Sequence, residues 1–215
     1  MFVDPSYKLS AEYAAFWQSL KAGEHSEGEY KRIAKGGKEI WIRASYNPIF
    51  DSTGKPFKVV KFATDVTQDK LRNAYFEGQI NAISKSQAVI EFDVDGNIIT
   101  ANDNFLNTMG YRLDEIKGKH HQLFVDDETR QSESYQRFWS ELKEGKFFSG
   151  EFKRENKSGK SVWIQASYNP IEDMNGKPFR VVKYATNITE DKLKNAYFEG
   201  QLNAISKSQA VIEFD

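Results

Sequence analysis

The chain has 215 residues, of which 39% are hydrophobic and 14% aromatic, so it is long and apolar enough for one or two compact domains. Its 30 basic and 31 acidic residues leave a net charge of −1, which gives no basic surface for nucleic acid. The absence of cysteine excludes disulfides, cysteine-based zinc sites and a cysteinyl nucleophile, and the lack of a long apolar segment or signal peptide favours a cytoplasmic protein without direct membrane insertion.

The sequence repeats itself without a gap. Residues 41–67 recur at 163–189, an offset of 122 residues, and both copies have two β-rich segments around a turn that contains Gly-Lys-Pro. Residues 73–93 recur at 195–215 with one substitution. A repeat of this length has the size of a domain and not of a solenoid unit.

The offset predicts three parts of a tandem array. Residues 1–72 correspond to the C-terminal part of a first unit, and residues 73–193 form a complete unit that begins with a connecting helix. Residues 194–215 correspond to the connecting helix and the first strand of a third unit. We expect the chain to be part of a longer array.

In the first part, apolar residues at helical spacing predict one helix over residues 6–22. Residues 28–32, 40–49 and 57–64 have the composition and turn signals of strands. The sequence therefore predicts a three-stranded antiparallel meander after the helix.

The complete unit starts with an amphipathic helix over residues 68–87, which needs a partner surface to be stable. Residues 88–92 and 97–101 flank Asp-Val-Asp-Gly and predict a hairpin. Asn102 or Asp103 can cap the short helix that follows.

The second half of this unit repeats the first part, with a helix over 133–145 and strands at 150–154, 162–171 and 179–186. Alternation along the middle strand directs one set of side chains towards the helices, namely Val162, Ile164, Ala166 and Tyr168. Trp163 lies on the opposite face, where we expect a neighbouring helix to cover it.

The segment AVIEFDVDGNIITANDNFLNTMGYRLDEIKGK, followed by the meander that ends in Asn-Ile-Thr at 187–189, closely resembles a PAS domain. The matching positions include Asn102, Met109, Gly110, Tyr111, Glu115, Gly118, Asn169 and Pro170. As a tandem array, the chain is similar to the sensory input region of bacterial methyl-accepting chemotaxis proteins of the aerotaxis or biofilm-dispersion kind. Sensor kinases and diguanylate cyclases carry similar modules.

The resemblance implies an α+β fold, a five-stranded antiparallel sheet with short helices on one face and tandem units joined by helices. The space between helices and sheet either holds haem, flavin or a small metabolite, or is filled by side chains. Family strand order places the first strand beside the last, so 57–64 would expose an edge. The segment 211–215 would either pair with such an edge, in the same or another chain, or stay frayed. The resemblance also implies a homodimer without catalytic activity that signals to chemotaxis partners through an output domain outside this chain.

Two histidines stand out as candidate ligand contacts because the chain has only three. His121, next to His120, is a candidate axial haem ligand or hydrogen-bond donor, and the alternative is a surface turn after Gly118. The lack of cysteine excludes a covalent flavin adduct, whereas non-covalent flavin would use Asn104, Asn107, Trp163 and Tyr168. The acidic residues 126–128 are interpreted as the start of a helix and not as a metal or catalytic site.

Each meander ends in a short motif that leads into a connecting helix. Asp65 and Thr67 form it in the first copy, and Asn187 and Thr189 form it in the second. We expect this signal exit to pass a change in the sheet to the helix. The sequence thus supports a ligand-binding sensory module, and the alternative is a ligand-free dimerisation and spacer array.

Overall fold

A computed structural model describes residues 2–208 of the chain. The chain divides between Ile80 and Asn81 into two compact units, here called unit 1 and unit 2. The boundary falls inside one long helix, Thr67–Ser86, so each unit contains part of that helix. The strand predicted at 211–215, and its pairing with a sheet edge, lie outside the described residues.

Unit 1 consists of two short helices, a three-stranded sheet and the start of the long helix. Its elements are α1 (Pro5–Lys8), α2 (Ala11–Lys21), β1 (Ser26–Ile33), β2 (Glu39–Phe50), β3 (Pro56–Asp65) and α3 (Thr67–Ser86). The strands are antiparallel in the order β1-β2-β3, which confirms the predicted meander. Within the described residues β3 is an edge of this sheet.

The prediction of a single helix over residues 6–22 is wrong, because this segment forms two helices. Ser10 has an extended backbone, and its side chain accepts a hydrogen bond from the backbone N–H of Tyr13, so α2 starts as a new helix after it. Leu9, which was counted in the apolar face, is 87% exposed in the break between the two helices. Leu20 in α2 is fully buried against Ile42 and Tyr46 of the sheet.

Unit 2 has the elements of unit 1 and, before them, a hairpin and several short helices. Its elements after α3 are β4 (Ala88–Asp93), β5 (Ile98–Ala101), α4 (Asp103–Met109), α5 (Leu113–Ile116), α6 (Asp127–Gln131), α7 (Glu133–Lys143), β6 (Phe148–Glu155), β7 (Ser161–Glu172), β8 (Pro178–Asn187) and α8 (Thr189–Ser208). A 3-10 turn, His121–Phe124, lies between α5 and α6.

The sheet of unit 2 has five antiparallel strands in the order β5-β4-β8-β7-β6, as predicted. Its last three strands repeat the register of unit 1, because Ala166 pairs with Ala185 as Ala44 pairs with Ala63. Both strand pairs also have a register shift at the same point of the repeat. The repeated sequence therefore specifies the same strand pairing twice.

The predicted alternation along β7 is confirmed. The four inward side chains of this strand are at most 6% exposed, and they are Val162, Ile164, Ala166 and Tyr168. They pack with buried side chains from the helices, among them Phe105 and Met109 of α4 and Trp139 of α7. Trp163 is half-buried on the other face of the sheet.

The short helices begin at the capping residues that the sequence indicates. The Asn102 side-chain oxygen accepts hydrogen bonds from the backbone N–H of Phe105 and of Val89, so it both caps α4 and binds β4. Asp126 caps α6 through the N–H of Thr129, which confirms that this acidic segment starts a helix. The Asn102 cap therefore also holds α4 against the first hairpin of the sheet.

The long helices α3 and α8 are largely unpacked in the part of the chain that the structure describes. No residue of α3 is buried. Their exposed apolar side chains repeat at the same places, namely Leu71, Tyr75, Phe76 and Ile80 in α3 and Leu193, Tyr197, Phe198 and Leu202 in α8. Neither these helices nor any other among residues 2–208 is long and apolar enough to cross a membrane.

Gly96, in the turn between β4 and β5, has φ +86° and no room for a side chain. A Cβ there would lie 2.6 Å from His120 Nε2 and 2.9 Å from Trp139. We expect Gly96→Ala to destabilise unit 2 by about 2 to 4 kcal/mol, because left-handed strain adds to the steric overlap. Gly118→Ala is the matched control, since Gly118 has φ +78° but open space around it. Equal losses of stability in urea denaturation would contradict the steric part of this argument.

Candidate functional site

A cluster of polar side chains lies inside the core of unit 2, around the hydroxyl group of Tyr168. His121 is fully buried, with Nε2 3.0 Å from the Tyr168 hydroxyl and Nδ1 2.9 Å from the Tyr135 hydroxyl. The guanidinium of Arg154 donates from Nη2 to the same Tyr168 oxygen at 3.1 Å. These contacts join the 3-10 turn and α7 to strands β6 and β7.

A second cation, Lys183 of β8, faces the same tyrosine. Its side chain is 1% exposed, and Nζ lies 4.8 Å from the ring centroid of Tyr168 and 5.8 Å from that of Phe105. Such contacts with aromatic faces stabilise an ammonium ion in part. We call His121, Tyr135, Arg154, Tyr168 and Lys183 the Tyr168 cluster.

Burial and mutual repulsion shift the protonation of the cluster. Burial and the charge of Arg154 lower the pKa of Lys183, Tyr168 opposes them in part, and the resulting pKa is about 8. Burial, with the charges of Arg154 and Lys183, holds the pKa of His121 well below its usual value, so its ring is neutral at pH 7. Burial raises the pKa of Tyr135 to about 12. Burial would also raise the pKa of Tyr168, but the two cations outweigh it and lower that pKa.

The interpretation of His121 as part of a surface turn is wrong. The backbone of His120 pairs with Asn97, and the N–H of His121 donates to the carbonyl of Gly96, so the segment runs along the β4–β5 hairpin and His121 points inward. A neutral imidazole has one donor and one acceptor, so one of its two tyrosines donates to it and the other accepts. Because both ring nitrogens are engaged and buried, this arrangement does not fit axial haem ligation.

The other predicted contact residues do not meet at one site. The Asn104 amide donates to the backbone carbonyls of Ser84, Lys85 and Gln87 at the end of α3, and Asn107 is exposed on α4. Trp163 lies on the face of the sheet opposite Tyr168. A flavin pocket formed by these four side chains therefore does not fit the structure.

The space expected to hold a ligand is filled by aromatic side chains. The ring of Phe138 lies 4.9 Å from that of Tyr168, and the ring of Phe105 lies 5.3 Å from that of Phe124, between centroids. His121 packs edge-on against Phe92 at 5.4 Å. Ligand entry therefore requires displacement of the short helices that cover the sheet.

Unit 1 has a reduced counterpart of the cluster. The Arg32 guanidinium is 6% exposed and donates to the Tyr46 hydroxyl at 3.1 Å, as Arg154 does to Tyr168. Lys61, the counterpart of Lys183, lies 5.2 Å from the Tyr46 ring centroid but is exposed. Only unit 2 therefore buries two cations around its tyrosine.

The signal exit of unit 2 is a bonded joint between the sheet and α8. Thr189 Oγ1 accepts a hydrogen bond from the backbone N–H of Trp163 at 2.9 Å, and the N–H of Thr189 donates to Asn187 Oδ1 at 3.0 Å. Lys192 of α8 lies over the Trp163 ring and forms a salt bridge with Glu151 of β6. We call these residues the exit joint.

Unit 1 has the same joint at the start of α3. Thr67 accepts from the N–H of Trp41 at 2.8 Å and donates its own N–H to Asp65, while Lys70 pairs with Glu29 at 2.5 Å. Hydrogen bonds from Thr67 hold the pKa of the Asp65 carboxyl below its usual value. The four predicted exit residues are thus in equivalent positions of two joints.

Sequence reasoning missed three members of the Tyr168 cluster, Tyr135, Arg154 and Lys183. The signal for the two cations was present, because Arg154 continues the inward alternation of Phe152 on β6 and Lys183 lies between inward Val181 and Ala185 on β8. No pattern in the sequence marks Tyr135 as a partner of His121.

Comparisons with known proteins match two segments of the chain to one family, in agreement with the repeat. The family model described as "PAS fold" matches residues 1–63 and 98–185. A PAS domain of a protein from Colwellia psychrerythraea is 19% identical, with a TM-score of 0.48 over 54% of this chain and 98% of that chain.

Two curated proteins are similar in sequence. The biofilm dispersion protein BdlA of Pseudomonas aeruginosa is 40% identical over 187 residues, which are 87% of this chain and 45% of that protein. The aerotaxis receptor of Escherichia coli is 29% identical over 101 residues, 47% of this chain and 20% of that protein. The chain therefore spans less than half the length of either relative.

The low pKa of Lys183 predicts that stability rises with pH. Between about pH 8 and the usual lysine value of 10.5, the unfolded chain still binds a proton that the folded unit has lost, so folding becomes more favourable by up to about 3 kcal/mol. Loss of the proton from Tyr168 acts in the same direction. Urea denaturation between pH 7.5 and about 9.5 measures this rise. This range lies below the pH at which Tyr135 ionises in the unfolded chain, so that ionisation does not affect the result.

Lys183→Met should remove the part of the pH-dependent rise in stability that Lys183 contributes, whereas the matched change Lys61→Met in unit 1 should retain the full rise. Methionine keeps an unbranched side chain of similar length without the charge. A rise of equal size in both variants would assign the effect to another group.

Thr189→Val tests the exit joint. The change removes the acceptor for the Trp163 N–H, so we expect a loss of about 1 kcal/mol and faster hydrogen exchange of that amide. Thr186→Val is the control, since Thr186 is exposed on β8 next to the joint. Unchanged protection of the Trp163 amide in the first variant would contradict the proposed role of the threonine.

Proposed function

The chain belongs to the PAS fold family, and from that premise we propose that unit 2 is a sensory module which passes a change in its core to helix α8. In this proposal the chain is the input region of a chemotaxis-type receptor. Its similarity to the biofilm dispersion protein and to the aerotaxis receptor supports this assignment. The input region of a sensor kinase or diguanylate cyclase is the alternative for the whole protein.

One observation carries the proposal: each strand of the second meander connects the Tyr168 cluster to the exit joint. The pairs on one strand are Arg154 and Glu151 on β6, Tyr168 and Trp163 on β7, and Lys183 and Asn187 on β8. A shift of Arg154, Tyr168 or Lys183 along its strand therefore displaces a group that holds α8. Strands transmit such shifts because their backbone hydrogen bonds resist bending.

A sensory role requires a ligand that prefers one arrangement of α8 over another. The buried cations of the Tyr168 cluster favour this role over a ligand-free spacer, because uncompensated charges in a core destabilise the fold and do nothing for a spacer. We propose no catalytic role, since His121 is bound to two tyrosines and not to a nucleophile. Neither haem nor flavin fits the residues present, so the ligand is a smaller molecule.

The exposed apolar side chains of α3 and α8 support a homodimer in which equivalent helices pair. We propose that this dimer is cytoplasmic and acts on chemotaxis partners through an output domain outside the chain. The three parts of the tandem array, 1–72, 73–193 and 194–215, would then be consecutive stages of one relay. The balanced charge of the chain fits a protein partner and not a nucleic acid.

Tyr168→Phe tests the connection between core and helix. The change removes only the hydroxyl that His121 and Arg154 share, so we expect hydrogen exchange at residues 188–196 to become roughly tenfold faster. Hydrogen-exchange mass spectrometry of the full chain measures it, with Tyr46→Phe in unit 1 as the matched control. Faster exchange confined to the 3-10 turn, with residues 188–196 unchanged, would favour the spacer hypothesis.

A further inference from the structure

Arg154 and Lys183 are both buried and have no negative partner in residues 2–208. They are 6% and 1% exposed, and neither forms a salt bridge with an acidic side chain of the described chain. Tyr168 raises the pKa of Lys183 and Arg154 lowers it, and His121 is neutral. The Tyr168 cluster thus combines two cationic side chains with no carboxylate among its members.

Arg154 also has an unused donor in this cluster. Its Nη1 donates to the backbone carbonyl of Lys153 at 2.7 Å and its Nη2 to Tyr168, but its buried Nε–H has no acceptor in the described structure. A buried donor without a partner typically costs about 1 to 3 kcal/mol, and an unpaired buried charge costs more. The cluster is therefore unfavourable as it stands, and an added anion would relieve both deficits.

We propose that the ligand of unit 2 is a small carboxylate anion, bound between Arg154 and Lys183 beside the Tyr168 hydroxyl. This inference rests on the proposed sensory function and names the class of its ligand. A carboxylate has two oxygens that match the donor geometry of a guanidinium, and its second oxygen can accept from an ammonium. The aromatic packing around Tyr168 restricts the ligand to a few non-hydrogen atoms.

The same arrangement explains how such a ligand would change the exit joint. The carboxylate draws together a cation on β6 and a cation on β8, the two strands that flank β7. Without it, the two cations repel each other across Tyr168. Binding therefore changes the forces between the strands whose other residues hold α8, and unit 1, where Lys61 is exposed, is not expected to respond.

The test is the thermal stability of the whole chain with sodium acetate, pyruvate or malonate, compared with sodium chloride at equal ionic strength. At least one carboxylate should raise the melting temperature saturably, by roughly 5 °C or more at high occupancy. Lys183→Met should melt higher than the wild type without ligand, because it removes the buried charge, and it should lose the carboxylate response. Lys61→Met is the matched control and should keep that response.

Three results would overturn the proposal. The first is the absence of a saturable shift with all three carboxylates while Lys183→Met still melts higher, which would leave the cations without a ligand. The second is a shift that Lys183→Met retains, or one that only inorganic phosphate produces. The third is tyrosinate absorbance at neutral pH that disappears in Tyr168→Phe, since Tyr168 would then supply the missing negative charge. If none of the three carboxylates raises the melting temperature but Tyr168→Phe still speeds hydrogen exchange in α8, the sensory function stands and only the ligand class is wrong.

Discussion

The hydrogen bonds at the Tyr168 hydroxyl are the interaction on which the interior of unit 2 depends. One oxygen meets the guanidinium of Arg154 and the imidazole of His121, and the ring beneath it faces the ammonium of Lys183. Polar groups at this depth are stabilised mainly by hydrogen bonds to one another. Tyr168 therefore connects the helical layer, the turn that carries His121 and three strands of the sheet.

The alternation of strand β7 places the Tyr168 cluster and the exit joint on opposite faces of the sheet, so the strand connects them without direct contact between their side chains. Tyr168 and Trp163 have opposite parity on the strand, so one points into the core and the other lies under the start of α8. A residue inserted between them would turn one of the two to the wrong face. The spacing of these two aromatic residues is thus a constraint on function as well as on packing.

The fold was predictable from the sequence where local chemistry determines it. The alternation of β7, the caps Asn102 and Asp126 and the repeated meander all appear as local patterns, and the structure has each of them. The break at Ser10 was missed because the apolar spacing continues through it. The burial of His121 depends on contacts between residues that are distant in the chain, and such contacts leave no local pattern. The burial of Lys183 follows the alternation of β8 between Val181 and Ala185, but its charge argued against an inward position.

The strand order of unit 2 also determines the sequence in which its sheet can assemble. Strands β6, β7 and β8 are joined by short turns, whereas β4 pairs with β8 across a long stretch of the chain, for example Ala88 with Ala185. Closing so long a loop costs more conformational entropy than closing a hairpin, so the meander should form before β4 docks. In unit 1, the described residues form this meander as a sheet without a fourth strand, with α2 packed against it. The meander with its helix is therefore the part of the fold that both units share.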